Sequence, residues 1–205
     1  MELTLPILKK MFDGVARDIA AEEQNLCRLD SACGDGDHGV AMRGAIEAAS
    51  GAVQAASNLK DAFFDAGMAA MANSNGSTST IYGTLFTGIS DALPAGAESL
   101  SAAQIASAFE GALASMREVV KGDVGDKTCF DALIPAVRAM KGAADAAELF
   151  SAAAKAADEG AKSTEKLRAK FGRARNLGEK SVGTLDPGAV SNAIMFAAFS
   201  REFGK

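Results

Sequence analysis

Several residue types that carry common protein chemistry are scarce in this chain of 205 residues, which has no tryptophan, one tyrosine, one histidine and three cysteines. The cysteines form no C-x-x-C pair, so neither a disulfide framework nor a zinc cluster is indicated, and a reducing, cytoplasmic location is expected. No apolar run reaches the roughly 20 residues needed to span a bilayer, so no membrane segment is predicted. The net charge of −5 argues against nucleic acid or an anionic membrane as the main partner.

Apolar residues recur at spacings of three and four through most of the chain, which is typical of amphipathic helices. The runs predict helices over about 8–29, 40–56, 59–72, 101–120, 130–140, 145–170 and 189–203, and one more helix that begins near residue 81. No clear strand pattern, repeat or linker interrupts them. The sequence therefore predicts an all-α fold of about eight helices, in a single domain over residues 1–205.

Two local signals refine these helices. In the third helix, Phe63, Phe64, Met68 and Met71 are interpreted as core residues because apolar side chains at helical spacing usually pack inward. Ser101, with a glutamine three residues later, predicts a capping box at the start of the 101–120 helix.

The segment from Asp30 to Gly39 is the most unusual in the chain, with three aspartates, the single histidine and three glycines. Carboxylates this close raise one another's pKa unless a cation lies among them. Interleaved glycines favour a loop over a helix interior. Oxygen ligands without thiolates or paired imidazoles suit Mg²⁺ or Ca²⁺ better than zinc. Asp30, Asp35 and Asp37 are therefore predicted to bind a divalent metal.

Three other interpretations fit parts of this segment. Residues 34–39 match G-x-G-x-x-G, but the preceding segment is helical and the aspartates would repel a bare pyrophosphate. An EF-hand loop counted from Asp35 would place Ile46 where the bidentate glutamate belongs. A solvated acidic turn without a ligand stays open.

Three further polar loops follow. The segment Asn73–Thr80 leads into a helix whose N-terminus could hold a phosphate, and an ordinary Ser/Thr cap is the simpler alternative. A second loop covers 121–128. The third, Phe171–Gly188, is a long structureless loop with Arg173, Arg175 and Lys180. It is interpreted as a lid that closes over phosphates, although a mobile basic loop without a ligand would look the same.

These loops closely resemble those of the L subunit of dihydroxyacetone kinase, over nearly the full length of the chain. The resemblance rests on the acidic segment, on Gly-Asp-Lys-Thr at 125–128, on 172–174 and 177–181, and on Asp-Pro-Gly-Ala at 186–189. It implies an antiparallel barrel of eight helices that holds ADP or ATP at one end. It also implies two Mg²⁺ between the three aspartates and the phosphates.

The resemblance further implies roles for other residues. His38 and Met42 would lie near the nucleotide, Ser77 and Thr78 would receive phosphate oxygens, Thr128 and Cys129 would border the base, and Arg173 with Asp186, Pro187 and Gly188 would belong to the closing lid.

The implied function is that of a nucleotide-bearing subunit of a two-component kinase. It would transfer a phosphoryl group from Mg-ATP, or from bound ADP rephosphorylated by a phosphohistidine protein of the sugar phosphotransferase system. The acceptor would be dihydroxyacetone or a related short ketose on a separate K-type subunit. The segment Asn75–Thr80 lacks the paired glycines and proline usual in the family, which favours exchangeable ATP.

Two alternatives belong to other classes. A non-catalytic regulatory module that binds a nucleotide and docks on a partner protein would show the same polar loops. A metal-dependent phosphatase is weaker because the sequence shows no evident base to activate water.

Overall fold

The computed structural model describes residues 1–73 and 76–203. These residues form eight α-helices: α1 (Leu5–Ser31), α2 (His38–Ala55), α3 (Leu59–Asn73), α4 (Ser77–Ala92), α5 (Ala102–Val119), α6 (Phe130–Ala139), α7 (Ala146–Ser163) and α8 (Pro187–Phe203). Two short 3-10 segments, Thr164–Lys166 and Arg173–Ser181, lie between α7 and α8. The two-residue strands β1 (Leu3–Thr4) and β2 (Ser99–Leu100), which the sequence did not suggest, pair antiparallel.

The helices form a closed barrel, because α1 through α5 pack in order, α6 continues to α7 and α8, and α8 returns to α1. Phe12 of α1 marks the centre, with its ring centroid 6.1 Å from that of Phe63, 5.2 Å from Phe86 and 5.9 Å from Phe199. The predicted all-α fold of about eight helices is confirmed. Within the described ranges, no helix is both long and apolar enough to cross a bilayer.

Two helix ends show what sequence patterns capture. Ser101 forms the predicted capping box, with its hydroxyl accepting from the Gln104 amide and the Gln104 side chain accepting from the Ser101 amide. The predicted 145–170 helix is too long, because α7 ends at Ser163. Its continuation turns away where the Thr164 carbonyl and hydroxyl bond to residues distant in sequence, and these partners are invisible to local periodicity.

The prediction for α3 was wrong for three of its four large apolar residues. Phe64, Met68 and Met71 are 47%, 49% and 39% exposed, whereas Phe63 is buried. The helix instead packs through small residues: a Cβ on Gly67 would meet the backbone of α4 closer than any ordinary contact. Close approach of the two backbones leaves no space between them for Phe64 and Met68, which lie on the outer face. Met71 packs over Gly83 of α4 but stays partly exposed.

Gly160 allows a similarly close approach between α7 and α6. An added Cβ would clash with the backbone carbonyl of Asp131, so Gly160→Ala should force the helices apart and lower the free energy of unfolding by about 1–3 kcal/mol. Urea unfolding measures this difference. Gly51→Ala is the matched control, since that exposed helical glycine has open space around its Cβ position and alanine should stabilise it by about 0.5–1 kcal/mol. Equal changes in the free energy of unfolding for Gly160→Ala and Gly51→Ala would contradict the close packing of α7 on α6.

Candidate functional site

One end of the barrel holds a cavity of about 580 Å³. It lies where the end of α1, the starts of α2 and α4, the loop before α6 and the segment before α8 come together. Of the residues singled out from the sequence, the cavity is lined by Asp30, Asp35, Asp37, His38, Ser77, Thr78, Thr128, Cys129, Arg173, Asp186, Pro187 and Gly188. Loops far apart in sequence therefore share one site.

The acidic loop is folded back on the last turn of α1. Asp30 Oδ2 accepts from the amide of Gly36 at 2.9 Å and from that of Asp37 at 3.1 Å. One carboxylate oxygen from each of Asp30, Asp35 and Asp37 can be chosen so that all three lie within 4.8 Å of one another. Such a set of hard oxygen donors fits Mg²⁺ or Ca²⁺.

The carboxylates of this loop differ in their electrostatics. A hydrogen bond from Arg173 holds the pKa of Asp35 down to about 2. Partial loss of hydration, together with the neighbouring charges of Asp35 and Asp30, raises the pKa of Asp37. Charge repulsion is thus only partly relieved by the protein, and a bound cation would relieve the rest.

Arg173 reaches this loop from residues 165–183, here named the lid segment. Its guanidinium forms an ion pair with Asp35. The two arms of the segment are joined at their base, where the Gly183 amide donates to the Glu165 carbonyl at 2.8 Å and the Ala169 amide donates to Ser181 Oγ at 2.9 Å. The prediction of a structureless loop was wrong, since Arg173–Ser181 folds as 3-10 turns.

The start of α4 also lines the cavity. Gly76, with φ of 88°, precedes the helix, and among the described residues no side chain caps its first amides. Such amides and the positive end of the helix dipole favour an anion. Ser77 and Thr78, predicted as part of a loop, lie in the first helical turn. Ser74 and Asn75 fall outside the described residues.

Comparison with known proteins gives this geometry a context. Residues 32–201 match the DAK2 domain. The chain belongs to the DAK2 domain family. It is 34% identical over 182 residues to the "PEP-dependent dihydroxyacetone kinase 1, ADP-binding subunit DhaL" of Listeria innocua, covering 88% of this chain and 87% of that protein. It is also 34% identical over 196 residues to the D-erythrulose kinase of Mycolicibacterium smegmatis, covering 92% of this chain but 34% of that enzyme.

Among solved structures, the chain is similar to the dihydroxyacetone kinase of C. freundii in complex with AMP-PNP and Mg²⁺. The TM-score is 0.76 at 25% sequence identity, over 98% of this chain and 34% of that one. The similar proteins thus include a subunit that the match covers almost fully and larger kinases of which it covers about a third.

His38 is held at the edge of the cavity of this DAK2 domain. Its Nε2 lies 2.7 Å from Ser191 Oγ, and Ser191 donates its hydroxyl proton to the Pro187 carbonyl at 2.9 Å. Since that proton is used, Nε2 carries the hydrogen and donates to Ser191. Burial lowers the pKa of His38, although Asp30 opposes the shift. The imidazole therefore positions the start of α8 as a neutral donor.

Met42 is the one proposed site residue that does not line the DAK2 cavity. It is fully buried in the barrel core, while Ala41 faces the cavity beside His38. One residue further along α2 turns the side chain about 100° away and places it deeper among the helices. The expectation that Met42 lies near a nucleotide is corrected accordingly.

Two buried charged residues beside the cavity of this DAK2 domain were not predicted from the sequence. Lys127, which lines the cavity, is 2% exposed, and Asp131 is fully buried. Asp131 accepts from the amides of Gly125 at 2.6 Å and Thr128 at 2.7 Å, which fixes the loop before α6. The Gly-Asp-Lys-Thr motif at 125–128 was the available signal for Lys127. It places this lysine between a glycine-containing turn and an apolar helix, which is an unusual position for a solvent-exposed charge.

Asp186 caps α8 at the inner wall of the site. Its Oδ2 accepts from the Ala189 amide at 2.8 Å, and burial raises the pKa of its carboxyl to about 7. In the unfolded chain this pKa would be about 3.9. The folded state therefore holds a proton there that the unfolded state has lost, and this contribution to stability declines as the pH rises from about 4 to about 7.

Asp186→Asn should weaken this pH dependence while keeping an oxygen to cap α8. In the presence of a chelator, the wild type should lose at least about 1 kcal/mol more than the variant in free energy of unfolding between pH 5 and pH 8. Urea unfolding at the two pH values gives both differences. Parallel curves for wild type and variant would contradict the raised pKa.

Proposed function

We propose that this chain is the nucleotide-bearing subunit of a two-component kinase that phosphorylates dihydroxyacetone or a related short ketose. The observation that carries the proposal is that three carboxylates, the Arg173 guanidinium and the N-terminal turn of α4 line one cavity. The names of the relatives, an ADP-binding kinase subunit and an erythrulose kinase, support the same reaction class.

Each wall of the cavity takes one part of a metal-bound nucleotide. Asp30, Asp35 and Asp37 would hold divalent metal, with two Mg²⁺ shared among their oxygens as in the proposed family arrangement. Mg²⁺ bound there would neutralise charge on the phosphates. The amides at Ser77 and Thr78 donate to phosphate oxygens, which the positive end of α4 favours.

The base of the nucleotide would lie between the loop before α6 and the start of α8. Thr128 and Cys129 line this part of the cavity. Burial raises the pKa of the Cys129 thiol, so it stays neutral and presents an apolar wall. Gly188 leaves space there, because a Cβ at this position would come within 3.2 Å of the Cys129 Cβ. The Asp186-Pro187-Gly188 turn therefore shapes this end of the cavity.

Phosphoryl transfer depends mainly on alignment and charge stabilisation, so a general base need not come from this chain. The only histidine, His38, is half-buried and its Nε2 is bonded to Ser191, so it is not available to carry a sugar or a phosphate. We therefore assign binding of the ketose to a K-type partner subunit, with Arg173 moving onto the transferred group as the lid segment closes.

Reconstitution tests this function. The purified chain is mixed with a purified K-type subunit, Mg-ATP or a phosphohistidine donor system, and dihydroxyacetone or erythrulose, and sugar phosphate is measured. Product that requires both subunits supports the kinase. Nucleotide binding without sugar phosphate under any of these conditions supports the regulatory module. Phosphate release from Mg-ATP without an acceptor would instead indicate a phosphatase.

The phosphate source is a separate proposal. The Asn75–Thr80 segment, which lacks paired glycines and a proline, leads us to infer exchangeable ATP, whereas the name of the Listeria relative indicates the PEP-dependent route. We expect nucleotide to be lost on extensive dialysis, and the reconstituted pair to turn over on ATP alone. ADP retained through dialysis, with turnover only after a phosphohistidine protein is added, would overturn this inference.

A further inference from the structure

Lys127 is a buried lysine whose ammonium group connects the two ends of the lid segment. Its Nζ donates to the Thr164 carbonyl at 2.6 Å and also to the Thr184 carbonyl. Thr164 immediately precedes the lid segment and Thr184 immediately follows it. One side chain from the loop before α6 therefore holds both ends of the segment that carries Arg173.

The backbone conformation of Lys127 directs its side chain toward these two carbonyls. Among residues 1–73 and 76–203, it is the one non-glycine with a positive φ, at 58°. An unfavourable conformation of this kind persists only when the surroundings fix it. Here the amides on either side are held by the buried carboxylate of Asp131. The fold thus directs this lysine toward the lid ends and away from solvent.

The choice of a charged residue is informative because a buried ammonium is costly unless its hydrogens are bonded and its charge is compensated. Two carbonyls satisfy the hydrogens. Asp186, Asp131 and Glu165 lie close enough to favour the charged form, and they oppose the lowering of the Lys127 pKa by burial. An apolar side chain could fill the space at lower cost, so the contacts to the lid ends are the distinctive contribution of Lys127.

Other contacts of the lid segment have different roles. The bonds from Gly183 to Glu165 and from Ala169 to Ser181 join its arms to each other. Lys170 does reach the body, through a bond from its amide to the Asp126 carbonyl at 3.1 Å and an ion pair with the Asp126 carboxylate, but its side chain is 60% exposed. The Asp186 amide donates to the Thr164 hydroxyl at 2.9 Å, which joins the two ends to each other. Lys127 differs from these contacts because it is a buried side chain of the loop before α6 whose ammonium bonds to the carbonyls at both lid ends.

We propose that Lys127 is a positioning residue that holds both ends of the lid segment against the barrel, so that Arg173 is kept over the acidic loop. The consequence for catalysis rests on the proposed nucleotide function, but the connection itself does not. Loss of the ammonium should make the lid segment open more often while the barrel stays folded.

The test compares Lys127→Met with Lys60→Met. Lys60 is the matched control because its Nζ also donates to two backbone carbonyls, those of Ser90 and Leu93, both at 2.8 Å, in a part of the barrel that does not line the cavity. Trypsin cleavage after Arg173 and Arg175 is followed without nucleotide, well below each melting temperature. We expect cleavage to be at least about 5-fold faster in Lys127→Met, the factor for loss of one net hydrogen bond, and unchanged in Lys60→Met.

The second measurement is the dissociation rate of Mg-ADP, which should rise at least about 5-fold in Lys127→Met alone. Cleavage at the wild-type rate, or equally increased in both variants, would overturn the connection. Faster cleavage with an unchanged dissociation rate would overturn the positioning role.

If the wild type binds no Mg-ADP, the proposed function fails and the proteolysis still decides whether Lys127 holds the lid. If Lys127→Met does not fold, Lys127→Gln, which can still donate to one carbonyl, should show a smaller increase.

Discussion

Replacing Asp37 by asparagine should lower phosphoryl transfer by at least about 10-fold, the size of effect seen when partners of metal ligands are removed. The carboxylate of Asp37 is one of three whose oxygens gather within 4.8 Å, so its loss removes a charged ligand from a shared site. The loop itself should keep its shape, because it is the backbone amide of Asp37 that bonds to Asp30. Calorimetry should show weaker Mg-ADP binding.

Asp65→Asn is the control for the loss of one negative charge, since Asp65 is exposed on α3 and lies outside the cavity. It should bind Mg-ADP as the wild type does. Asp30→Asn should be more damaging than Asp37→Asn, because Asp30 Oδ2 also accepts two amides of the loop. Unchanged Mg-ADP affinity in the asparagine variants of Asp30, Asp35 and Asp37 would rule out the metal site.

Replacing Arg173 by alanine should separate metal binding from phosphoryl transfer. A cation on the transferred group is worth on the order of 10³-fold or more in related phosphoryl transfers, so turnover of the reconstituted kinase should fall by at least about 100-fold. Without nucleotide, Mg²⁺ should bind equally well or more tightly, because Asp35 no longer pairs with the guanidinium. Single-turnover kinetics and a metal titration measure the two effects.

Arg175→Ala provides the matched control, because Arg175 lies two residues away on the same segment but does not line the cavity. Arg175→Ala should leave the turnover of the reconstituted kinase and the Mg²⁺ affinity near their wild-type values. A parallel fall in metal affinity and turnover in Arg173→Ala would show that Arg173 supports the acidic loop structurally, and would remove the basis for its role on the phosphates.

Much of this architecture follows from local sequence signals. Helical periodicity predicted all eight helices, and Ser101 marked a helix start because a capping box is made within one turn. The acidic loop was recognisable because three carboxylates among glycines have few uses without a cation. For the same reason, Asp30, Asp35 and Asp37 could be grouped before their proximity in space was known.

The remaining features depend on contacts between distant segments. The outward face of α3 follows from the close approach at Gly67, which a count of apolar residues does not reveal. Burial of Lys127 requires the carbonyls on both sides of the lid segment, far along the chain. The end of α7 at Ser163 likewise depends on bonds between Thr164 and residues far along the chain. Local patterns predict which residues form helices, whereas the barrel determines which side chains become buried.

The most direct measurement of the central claim is electron–nuclear double resonance with Mn²⁺ in place of Mg²⁺ and saturating ADP. If the acidic loop and the start of α4 hold a metal-bound nucleotide in one cavity, the Mn²⁺ signal should show coupling to the phosphorus nuclei of ADP, and Asp37→Asn should reduce that signal strongly. Bound Mn²⁺ without phosphorus coupling, or a coupling of equal strength in Asp37→Asn, would contradict the claim.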